Sequence, residues 1–302
     1  MNDDFCNKIF KLHGEAGKQW LKSIPEIIKK YQEKWKIKVY PPFELSYNYV
    51  CPAETFGGEK VVLKLAFPGD NEFKLELEAL KRFSSEVSIQ IIGEDADHGA
   101  LLLERAMPGL PISGVKVDED QIHLAAQVIS QLHKPIDNDS ISIFPSVSDW
   151  AKAFERYKQK YPTNSGPVPN KIFDLGEKIF SELLKDKKEQ VLLHGDLHND
   201  NIISSERGWL VIDPKGVVGE REFELGAYLR NPYYDLPKGS NYKKLQIRRI
   251  IQFSEELGFD KHRVHHWATG CAVISLLWFL EDEGELKSIY IENVKLLNSL
   301  KV

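Results

Sequence analysis

The chain has 302 residues, of which 42% are hydrophobic and 28% are charged, and its formal net charge is −5. This length accommodates one large domain or two lobes, and the composition is ordinary for a folded globular protein. The acidic balance, without a basic stripe, argues against a nucleic-acid partner. The longest apolar run, from Cys271 to Leu280, is far shorter than the roughly 18 residues of a membrane-spanning helix, so no membrane partner is expected.

The cysteine pattern bears on metal sites and on the compartment. Cys6, Cys51 and Cys271 are far apart, and none belongs to a C-x-x-C motif that would indicate zinc or dithiol chemistry. Free thiols in a reducing compartment are the simplest interpretation. The acidic start, Met1–Asp4, lacks the positively charged region of a secretion signal. We therefore expect a cytoplasmic protein, and its oligomeric state stays unknown from sequence.

The first third of the chain mixes helical and strand patterns. Aromatic and aliphatic residues recur at helical spacing over residues 5–36, and Pro25 is expected to break this pattern and to start a second helix. Alternating apolar residues and turn signals then predict a hairpin, a helix and two more strands: Phe43–Val50 and Lys60–Ala66 joined at Thr55–Gly58, residues 70–83, Ile89–Ile92, and Ala100–Glu104.

The rest of the chain is predicted to be helical. The segment Met107–Pro111 is the strongest linker signal. After it, helical periodicity covers residues 118–133, 148–160, 170–185, 222–230, 241–257, 261–281 and 286–299, with a single predicted hairpin at Asn201–Asp213. We therefore predict an α+β protein with a β-rich lobe at residues 1–104 and a mostly helical lobe at 105–302. Ligands favour clefts between such lobes.

One stretch, His194–Asp213, carries the functional pattern. Asp196 is followed five positions later by Asn201 and seventeen positions later by Asp213, which ends an apolar run. Phosphoryl transfer of the protein-kinase type needs a base Asp, a metal-binding Asn on the same loop and a second metal-binding Asp beyond a short hairpin. Asp196 would accept the proton of a substrate hydroxyl, and Asn201 and Asp213 offer the oxygen ligands that Mg²⁺ prefers. His198, two residues after the base, is expected to face the same pocket.

A lysine upstream supplies the next part of the pattern. Lys64 lies within the aliphatic segment Val61–Leu65, where burial of an ammonium group is costly unless it has a partner. Glu76 or Glu78 on the following helix could be that partner, and ATP phosphates would be the other. Taken alone, a lysine such as Lys64 is more often a charge on an edge strand, and each aspartate could be a turn residue. The ordered combination favours a kinase.

Two other classes of function remain as alternatives. His194, His198, Asp196 and Asp200 could form a metallohydrolase cluster, although that hypothesis leaves Lys64 and Asn201 without a role. The kinase fold also includes pseudokinases that bind nucleotide without transferring phosphate. The intact set of Lys64, Asp196, Asn201 and Asp213 favours an active enzyme.

The motifs resemble those of a known superfamily. His194–Asn201 is similar to the H-G-D-x-x-x-x-N loop of the aminoglycoside phosphotransferase and choline-kinase superfamily. Trp209–Gly219 resembles the I-D-P-K-G-x-x-G segment of its streptomycin 6-kinase branch, the aminoglycoside/hydroxyurea antibiotic resistance kinases. The similarity extends from about residue 43 to residue 283. It implies a protein-kinase-like two-lobed fold, and ATP and Mg²⁺ as cofactors.

The resemblance also implies roles for single residues. By position, Asp196 corresponds to the catalytic base, Asn201 and Asp213 to the magnesium ligands, Lys64 to the phosphate-binding lysine, and Glu76 rather than Glu78 to its helix partner. The carbonyl of Glu104 would meet adenine N6, and the amide of Ala106 would meet N1. The sequence departs from protein kinases at Val50–Gly58, which lacks a G-x-G-x-x-G motif.

The acceptor implied by the resemblance is a small hydroxyl-bearing molecule, an aminoglycoside such as streptomycin or a different metabolite. Aminoglycosides are polycations, so acidic residues are expected around them. The candidates are Glu220, Glu222, Glu224, Asp235, Glu281, Asp282, Glu283 and Glu285, with His198 beside the base. For the cluster after residue 280, a solvated helix end is an equally good interpretation.

Overall fold

The computed structural model describes residues 3–136, 138–186, 188–231 and 240–302. The chain folds into two compact units. The first comprises Met1–Gly109 with Ser205–Gly208, and the second comprises Leu110–Ser204 with Trp209–Val302. The sequence placed the boundary after residue 104, slightly earlier in the chain.

The first unit contains a long helix, a five-stranded sheet and a short helix. In chain order its elements are α1 (Asp3–Trp35), β1 (Ile37–Val39), β2 (Tyr49–Thr55), β3 (Lys60–Leu65), α2 (Asn71–Arg82), β4 (Ile91–Asp95) and β5 (Ala100–Glu104). The strand order is β1-β2-β3-β5-β4, and every neighbouring pair is antiparallel. Strand β3 is therefore a central strand, which excludes the edge-strand interpretation of its lysine.

Side-chain alternation along β3 separates the core from the lysine. Val61, Leu63 and Leu65 belong to one buried cluster with apolar residues of α1, including Trp20 and Ile24. Because successive side chains of a strand point to opposite faces, Lys64 lies on the other face. That face meets α2, whose Phe73, Glu76, Leu77 and Leu80 are buried at helical spacing.

Two local predictions for the first unit are wrong. Pro25 does not start a new helix, because it lies inside α1. The helix is instead interrupted at Gly14, whose φ of 58° and ψ of −140° are readily adopted only by glycine. The predicted strand Phe43–Val50 is displaced, because only Tyr49 onward pairs with β3. Of the alternating residues before Tyr49, Leu45 is buried, whereas Phe43 and Tyr47 are 44% and 48% exposed, so the alternation does not correspond to one buried strand face.

The second unit is mostly helical. Its helices are α3 (Asp118–Leu132), α4 (Asn138–Ile143), α5 (Val147–Trp150), α6 (Lys152–Lys160), α7 (Asn170–Leu183), α8 (Leu225–Arg230), α9 (Ser240–Leu257), α10 (Lys261–Glu283) and α11 (Ser288–Asn298). Its strands are β6 (Gln190–Leu193), β7 (Ile202–Ser205), β8 (Gly208–Val211) and β9 (Val217–Glu220), with the β7–β8 turn counted in the first unit. The predicted hairpin after Asn201 is present as β7–β8.

The pair β6–β9 is absent from the sequence predictions. The two strands pair antiparallel, with Leu193 opposite Val217, and each has only four residues. A four-residue apolar segment carries too little periodicity to be distinguished from a helical turn. This pair matters because β6 leads into the loop of Asp196 and β9 follows the segment of Asp213.

Helix α10 forms the centre of the second unit. It is buried along most of its length, from Val264 to Leu280, and packs against α6, α7, α8, α9 and α11. A helix that is apolar on all sides is typical of such a central position. Throughout the described parts of the chain, every helix is too short or too polar to cross a membrane.

Gly226→Ala should destabilise the second unit. A Cβ atom at Gly226 would lie 2.7 Å from the Cβ of Cys271 and closer still to its Sγ, where α8 packs against α10. Overpacking of this kind costs about 1–3 kcal/mol, so the midpoint of urea unfolding should fall. Gly114→Ala is the control, because nothing lies within 4 Å of its added Cβ. Equal losses in both variants would contradict the packing argument.

Candidate active site

The candidate catalytic loop begins where β6 ends. His194 follows Leu193 directly and is completely buried. Its carbonyl oxygen accepts hydrogen bonds from the backbone amides of Lys215 at 2.8 Å and Gly216 at 3.2 Å. These bonds connect the loop of Asp196 to the segment just after Asp213, so they fix the positions of the two parts of the motif relative to each other.

The imidazole of His194 makes two further hydrogen bonds to the backbone of these segments. Its Nε2 donates to the carbonyl oxygen of Ile212 at 2.8 Å, and its Nδ1 accepts the amide of Asp196 at 3.3 Å. These two contacts assign the ring proton to Nε2 and the lone pair to Nδ1. Because both ring nitrogens are engaged by the backbone, His194 is not available as a metal ligand.

Glu224 lies beneath the loop rather than at an acceptor site. Its side chain is 1% exposed. Its carboxylate accepts the amides of His194 at 2.7 Å and Gly195 at 2.9 Å, and Nε2 of His133 lies 3.1 Å away. Burial alone would raise the pKa of Glu224, but these hydrogen bonds and the neighbouring histidines outweigh it and hold the pKa below its usual value. Glu224 therefore positions the loop.

Asp196 forms an ion pair that the sequence motif does not contain. Its Oδ1 accepts from Nη2 of Arg230 at 2.9 Å, and its side chain is 28% exposed. Burial opposes the ionised form of this carboxyl group, but the positive charge of Arg230 outweighs it and lowers the pKa of Asp196. An ionised, oriented carboxylate is what a proton acceptor requires.

The side chain of Asn201 is hydrogen-bonded to the backbone of Asp196. Its Nδ2 donates to the carbonyl oxygen of Asp196 at 2.9 Å, and its own carbonyl accepts the amide of Ile212 at 3.1 Å. With Nδ2 engaged, the oxygen Oδ1 is the atom of this side chain that suits a cation. Asn201 thus connects the base to the strand that leads to Asp213.

Asp213 follows β8 in an unusual backbone conformation. Its φ is +56°, which a residue other than glycine rarely adopts. Such strain persists where the surroundings impose it and is frequent at functional sites. Asp213 is exposed. One carboxylate and one amide oxygen, completed by phosphate oxygens and water, make a donor set typical of Mg²⁺.

His198 caps the short helical turn after the base. Its Nδ1 accepts the amide of Asp200 at 3.2 Å, and its Nε2 lies 3.9 Å from Oδ2 of Asp196. Burial lowers the pKa of His198 below its usual value, against the attraction of Asp196. His198 therefore lies beside the base, as the sequence predicted, and its contact with an acceptor stays a prediction.

The metallohydrolase alternative lacks support in the geometry. The described residues contain no group of three or more His, Cys, Asp and Glu side chains placed to hold a metal ion. His194, one of the two histidines that this alternative requires, has both ring nitrogens bonded to the backbone. The arrangement fits an oxygen-ligated cation better than a histidine-ligated one.

The first unit contains the predicted lysine pair. Nζ of Lys64 lies 2.6 Å from Oε1 of Glu76, and the two side chains are 4% and 7% exposed. Glu78 instead pairs with Arg82 and Lys81 on the surface of α2. The choice of Glu76 over Glu78 is therefore confirmed as an ion pair, because only position 76 belongs to the buried face of the helix.

Glu104 and Ala106 lie at the end of the sheet. Glu104 is the last residue of β5, and its carboxylate is held by Arg207 with Nε 2.9 Å from Oε1. Since the side chain of Glu104 is engaged, an adenine base could use only its backbone. Ala106 is 8% exposed, two residues further on. Adenine contacts at these two residues stay predictions.

The remaining acidic candidates differ in exposure. Glu220 is 5% exposed and binds Arg263 and Trp267, so it supports the core. Glu281 pairs with Arg156 at 3.0 Å, and Asp282 is exposed in the last turn of α10. Asp235 lies outside the described residues. Of the described acidic candidates, Glu222 is half-buried, and Glu281, Asp282, Glu283 and Glu285 are exposed at the end of α10 and just beyond it.

Sequence reasoning missed Arg230 and misassigned Glu224. Both residues lie within the part of the chain, about residues 43–283, that resembles the family, but the resemblance assigns no partner to either side chain. The partners, Asp196 and the amides of His194 and Gly195, lie about thirty residues away along the chain. Only a three-dimensional arrangement reveals such contacts.

Comparisons with known proteins identify a family and several relatives with similar sequences. The sequence model of the aminoglycoside/hydroxyurea antibiotic resistance kinase family matches residues 42–283. A streptomycin 6-kinase of Streptomyces glaucescens is 23% identical over 272 residues, covering 89% of this chain and 87% of that protein. A hydroxyurea phosphotransferase of Kitasatospora aureofaciens is 27% identical over 283 residues, covering 90% of this chain and 78% of that protein.

The fold also has a counterpart among solved structures. A choline/ethanolamine kinase family protein from Mesorhizobium loti has a TM-score of 0.64 and 11% sequence identity, with 87% of each chain covered. This likeness confirms the predicted protein-kinase-like fold. The family match contains Lys64 as well as the whole segment from His194 to Asp213.

Proposed function

This chain belongs to the aminoglycoside/hydroxyurea antibiotic resistance kinase family, and we propose that it transfers the γ-phosphoryl group of ATP to a hydroxyl group of a small molecule. An aminoglycoside such as streptomycin is the first acceptor to consider, because streptomycin 6-kinases match most of the chain. A different small hydroxyl compound is the alternative, and the hydroxyurea phosphotransferase relative favours keeping it.

Asp196 carries the proposed reaction. Its carboxylate accepts the proton of the acceptor hydroxyl as the oxygen forms a bond to the γ-phosphorus and the bond to the β-bridging oxygen breaks, so that ADP leaves. Arg230 keeps Oδ1 of Asp196 in place, which leaves Oδ2 for the acceptor. Much of the rate enhancement at such a site comes from position, because Oδ2 must lie close to the acceptor hydroxyl and in the correct direction from it.

Asn201 and Asp213 are the proposed magnesium ligands. Bound Mg²⁺ would neutralise charge on the phosphate oxygens. Asn201 offers Oδ1 because its Nδ2 is held by Asp196, and Asp213 offers an exposed carboxylate on a strained backbone. In the first unit, Lys64 is the proposed ligand of the ATP phosphates, and its ion pair with Glu76 would hold the ammonium group in place.

A single observation supports this proposal more than any other. His194 and Glu224 hold the loop of Asp196 and the segment of Asp213 in one network of backbone hydrogen bonds. Two buried side chains that position the partly buried Asp196 and the exposed Asp213 are expected where function depends on the positions of these two carboxylates.

The test is magnesium-dependent transfer of labelled phosphate from ATP to a panel of hydroxyl compounds, with streptomycin and hydroxyurea first. Phosphorylated streptomycin, identified by mass spectrometry, would support the aminoglycoside proposal. Transfer only to another compound would move the assignment to that class. ATP binding without transfer to any acceptor in the panel would favour a nucleotide-binding pseudokinase.

Lys64→Ala should raise the KM for ATP while leaving the KM for the acceptor nearly unchanged. Loss of a charge-assisted contact to phosphate costs about 1.5–3 kcal/mol, or roughly ten- to a hundredfold in KM. Steady-state kinetics with ATP as the varied substrate measure the effect, below the unfolding temperature of the variant. Lys60→Ala is the control, because Lys60 lies on the same strand but is exposed and pairs with Glu54. Unchanged ATP kinetics in Lys64→Ala would remove this residue from the site.

A further inference from the structure

A small cavity in the second unit is lined in part by Arg230, the residue that pairs with the proposed base. Arg230 of α8, Ser275 and Phe279 of α10, and Tyr290 and Asn293 of α11 line it. Its volume is about 10 Å³, which is close to the minimum for one water-sized group. The aromatic rings of Phe279 and Tyr290 stack with their centroids 4.3 Å apart. The cavity is therefore narrow and accepts one atom or group of the size of a hydroxyl.

Two polar atoms of the cavity lining lack partners. Oγ of Ser275 and Oδ1 of Asn293 are buried and have no hydrogen-bond partner. The two residues are only 5% and 4% exposed. Nδ2 of Asn293 donates to the carbonyl oxygen of Arg230 at 2.9 Å, which orients the amide group. Buried polar atoms without partners are rare and costly, so these two atoms indicate a ligand.

Arg230 connects the cavity to the base. It lines the cavity and at the same time donates to Asp196 at 2.9 Å. Among the described residues that line the cavity, it is the one with a charge, and that charge is positive. A cationic group would be repelled there, whereas a neutral group that both donates and accepts hydrogen bonds would be favoured.

We propose that this cavity binds a second, non-reacting hydroxyl group of the acceptor. This inference rests on the proposed phosphotransferase function and narrows its acceptor to molecules with two neighbouring hydroxyl groups on a neutral part. One hydroxyl faces Asp196 and is phosphorylated. The other enters the cavity, donates to Oδ1 of Asn293 and accepts from the hydroxyl of Ser275.

A hydroxyl group matches both unpartnered atoms. Oδ1 of Asn293 can only accept, so the ligand must donate to it, and the hydroxyl of Ser275 can then donate to the ligand. A charged ammonium group would satisfy Asn293 but has no lone pair for Ser275, and it would lie beside Arg230. A carboxylate would accept from Ser275 but has no proton for Asn293.

A matched pair of ligands tests the inference without requiring turnover. The probes are a vicinal cyclohexanediol (trans isomer) and cyclohexanol, which differ by one hydroxyl group. Their dissociation constants are measured by ligand-observed NMR titration with the full chain, ADP and Mg²⁺ present. One additional hydrogen bond contributes about fivefold in affinity, so the diol should bind at least about fivefold more tightly than cyclohexanol.

Two variants on α10 test whether the preference for the diol depends on Ser275. Ser275→Ala removes the hydroxyl group without adding volume and should bring the ratio of the two affinities close to one. Thr269→Val is the control, since Thr269 is buried on the same helix but its Oγ1 already donates to the carbonyl oxygen of His265 at 3.0 Å. This variant should keep the preference of the unmodified protein for the diol.

Two outcomes would overturn the inference. Equal affinities for diol and cyclohexanol in the unmodified protein, including no binding of either, would mean that the cavity holds no ligand hydroxyl. A preference for the diol that persists in Ser275→Ala would place the second hydroxyl elsewhere. Because binding is measured directly, failure of phosphate transfer in the acceptor panel would refute the proposed function and leave this result standing.

Discussion

Asp196→Asn is expected to lower kcat for phosphate transfer by about 10²–10⁴-fold, the contribution of a well-placed general base. An amide has the same shape as the carboxylate but cannot accept the hydroxyl proton. The KM for ATP should change little, because the substitution leaves Lys64, the proposed phosphate ligand, and the proposed magnesium ligands Asn201 and Asp213 in place. The rate is measured as ADP release with the best acceptor of the panel.

Asp200→Asn is the matched control for this prediction. Asp200 lies on the same loop, its side chain is 57% exposed, and its contact with His198 is a long one at 3.9 Å. This variant should keep most of the transfer rate. Equal losses in the two variants would show that the loop tolerates no charge change anywhere, and loss of ATP binding in Asp196→Asn would make Asp196 a structural residue.

Glu224→Gln is expected to be the most destabilising conservative substitution in the candidate site. The carboxylate accepts two backbone amides and faces His133. A glutamine places an NH₂ group against one of these donors, so a buried donor loses its acceptor. A buried donor left without its acceptor costs about 1–3 kcal/mol, and more where the lost acceptor was charged. The free energy of unfolding, measured by urea titration, should fall by an amount of this order.

Glu177→Gln provides the comparison for Glu224→Gln. Glu177 pairs with Lys158 on the surface, and its side chain is 42% exposed. Exposed ion pairs contribute about 0–1 kcal/mol, so this variant should unfold at nearly the same urea concentration as the unmodified protein. Similar stabilities of Glu224→Gln and Glu177→Gln would remove Glu224 from the support of the loop.

The stability that Glu224 contributes should depend on pH in a defined direction. Its pKa in the folded protein lies below the ordinary value of 4.5. A carboxyl group with a depressed pKa contributes stability above its unfolded pKa and loses that contribution as the pH falls through the folded one. Glu224→Gln should therefore lose less stability on acidification than the unmodified protein does.

The reaction type could be predicted from sequence because it depends on local order. A loop with an aspartate, an asparagine five residues later and a second aspartate after a hairpin indicates phosphoryl transfer from the spacing of these residues alone. Lys64 could be recognised for a similar reason, since a lysine among aliphatic residues needs a partner, and helical spacing left Glu76 and Glu78 as candidates. The family match confirms the resemblance on which the finer assignments were based.

One error concerns contacts between distant segments, and another concerns the local conformation of a single residue. Glu224 had the same local signature as the acidic residues expected around a polycation, yet it is 1% exposed because two amides and a histidine from distant segments surround it. The break in α1 was assigned to Pro25, although a proline can continue a helix and Gly14 has the conformation that interrupts it.

The sequence by itself determined the order of chemical groups, the longer helices of the second unit and the class of reaction, since periodicity and motif spacing are properties of neighbouring residues. Only the tertiary structure decided which charges meet. It paired Arg230 with Asp196, buried Glu224 under the catalytic loop and left Ser275 and Asn293 with unpartnered atoms in one cavity. Such pairings depend on packing between segments far apart in the chain, where burial makes a single charge or hydrogen bond decisive.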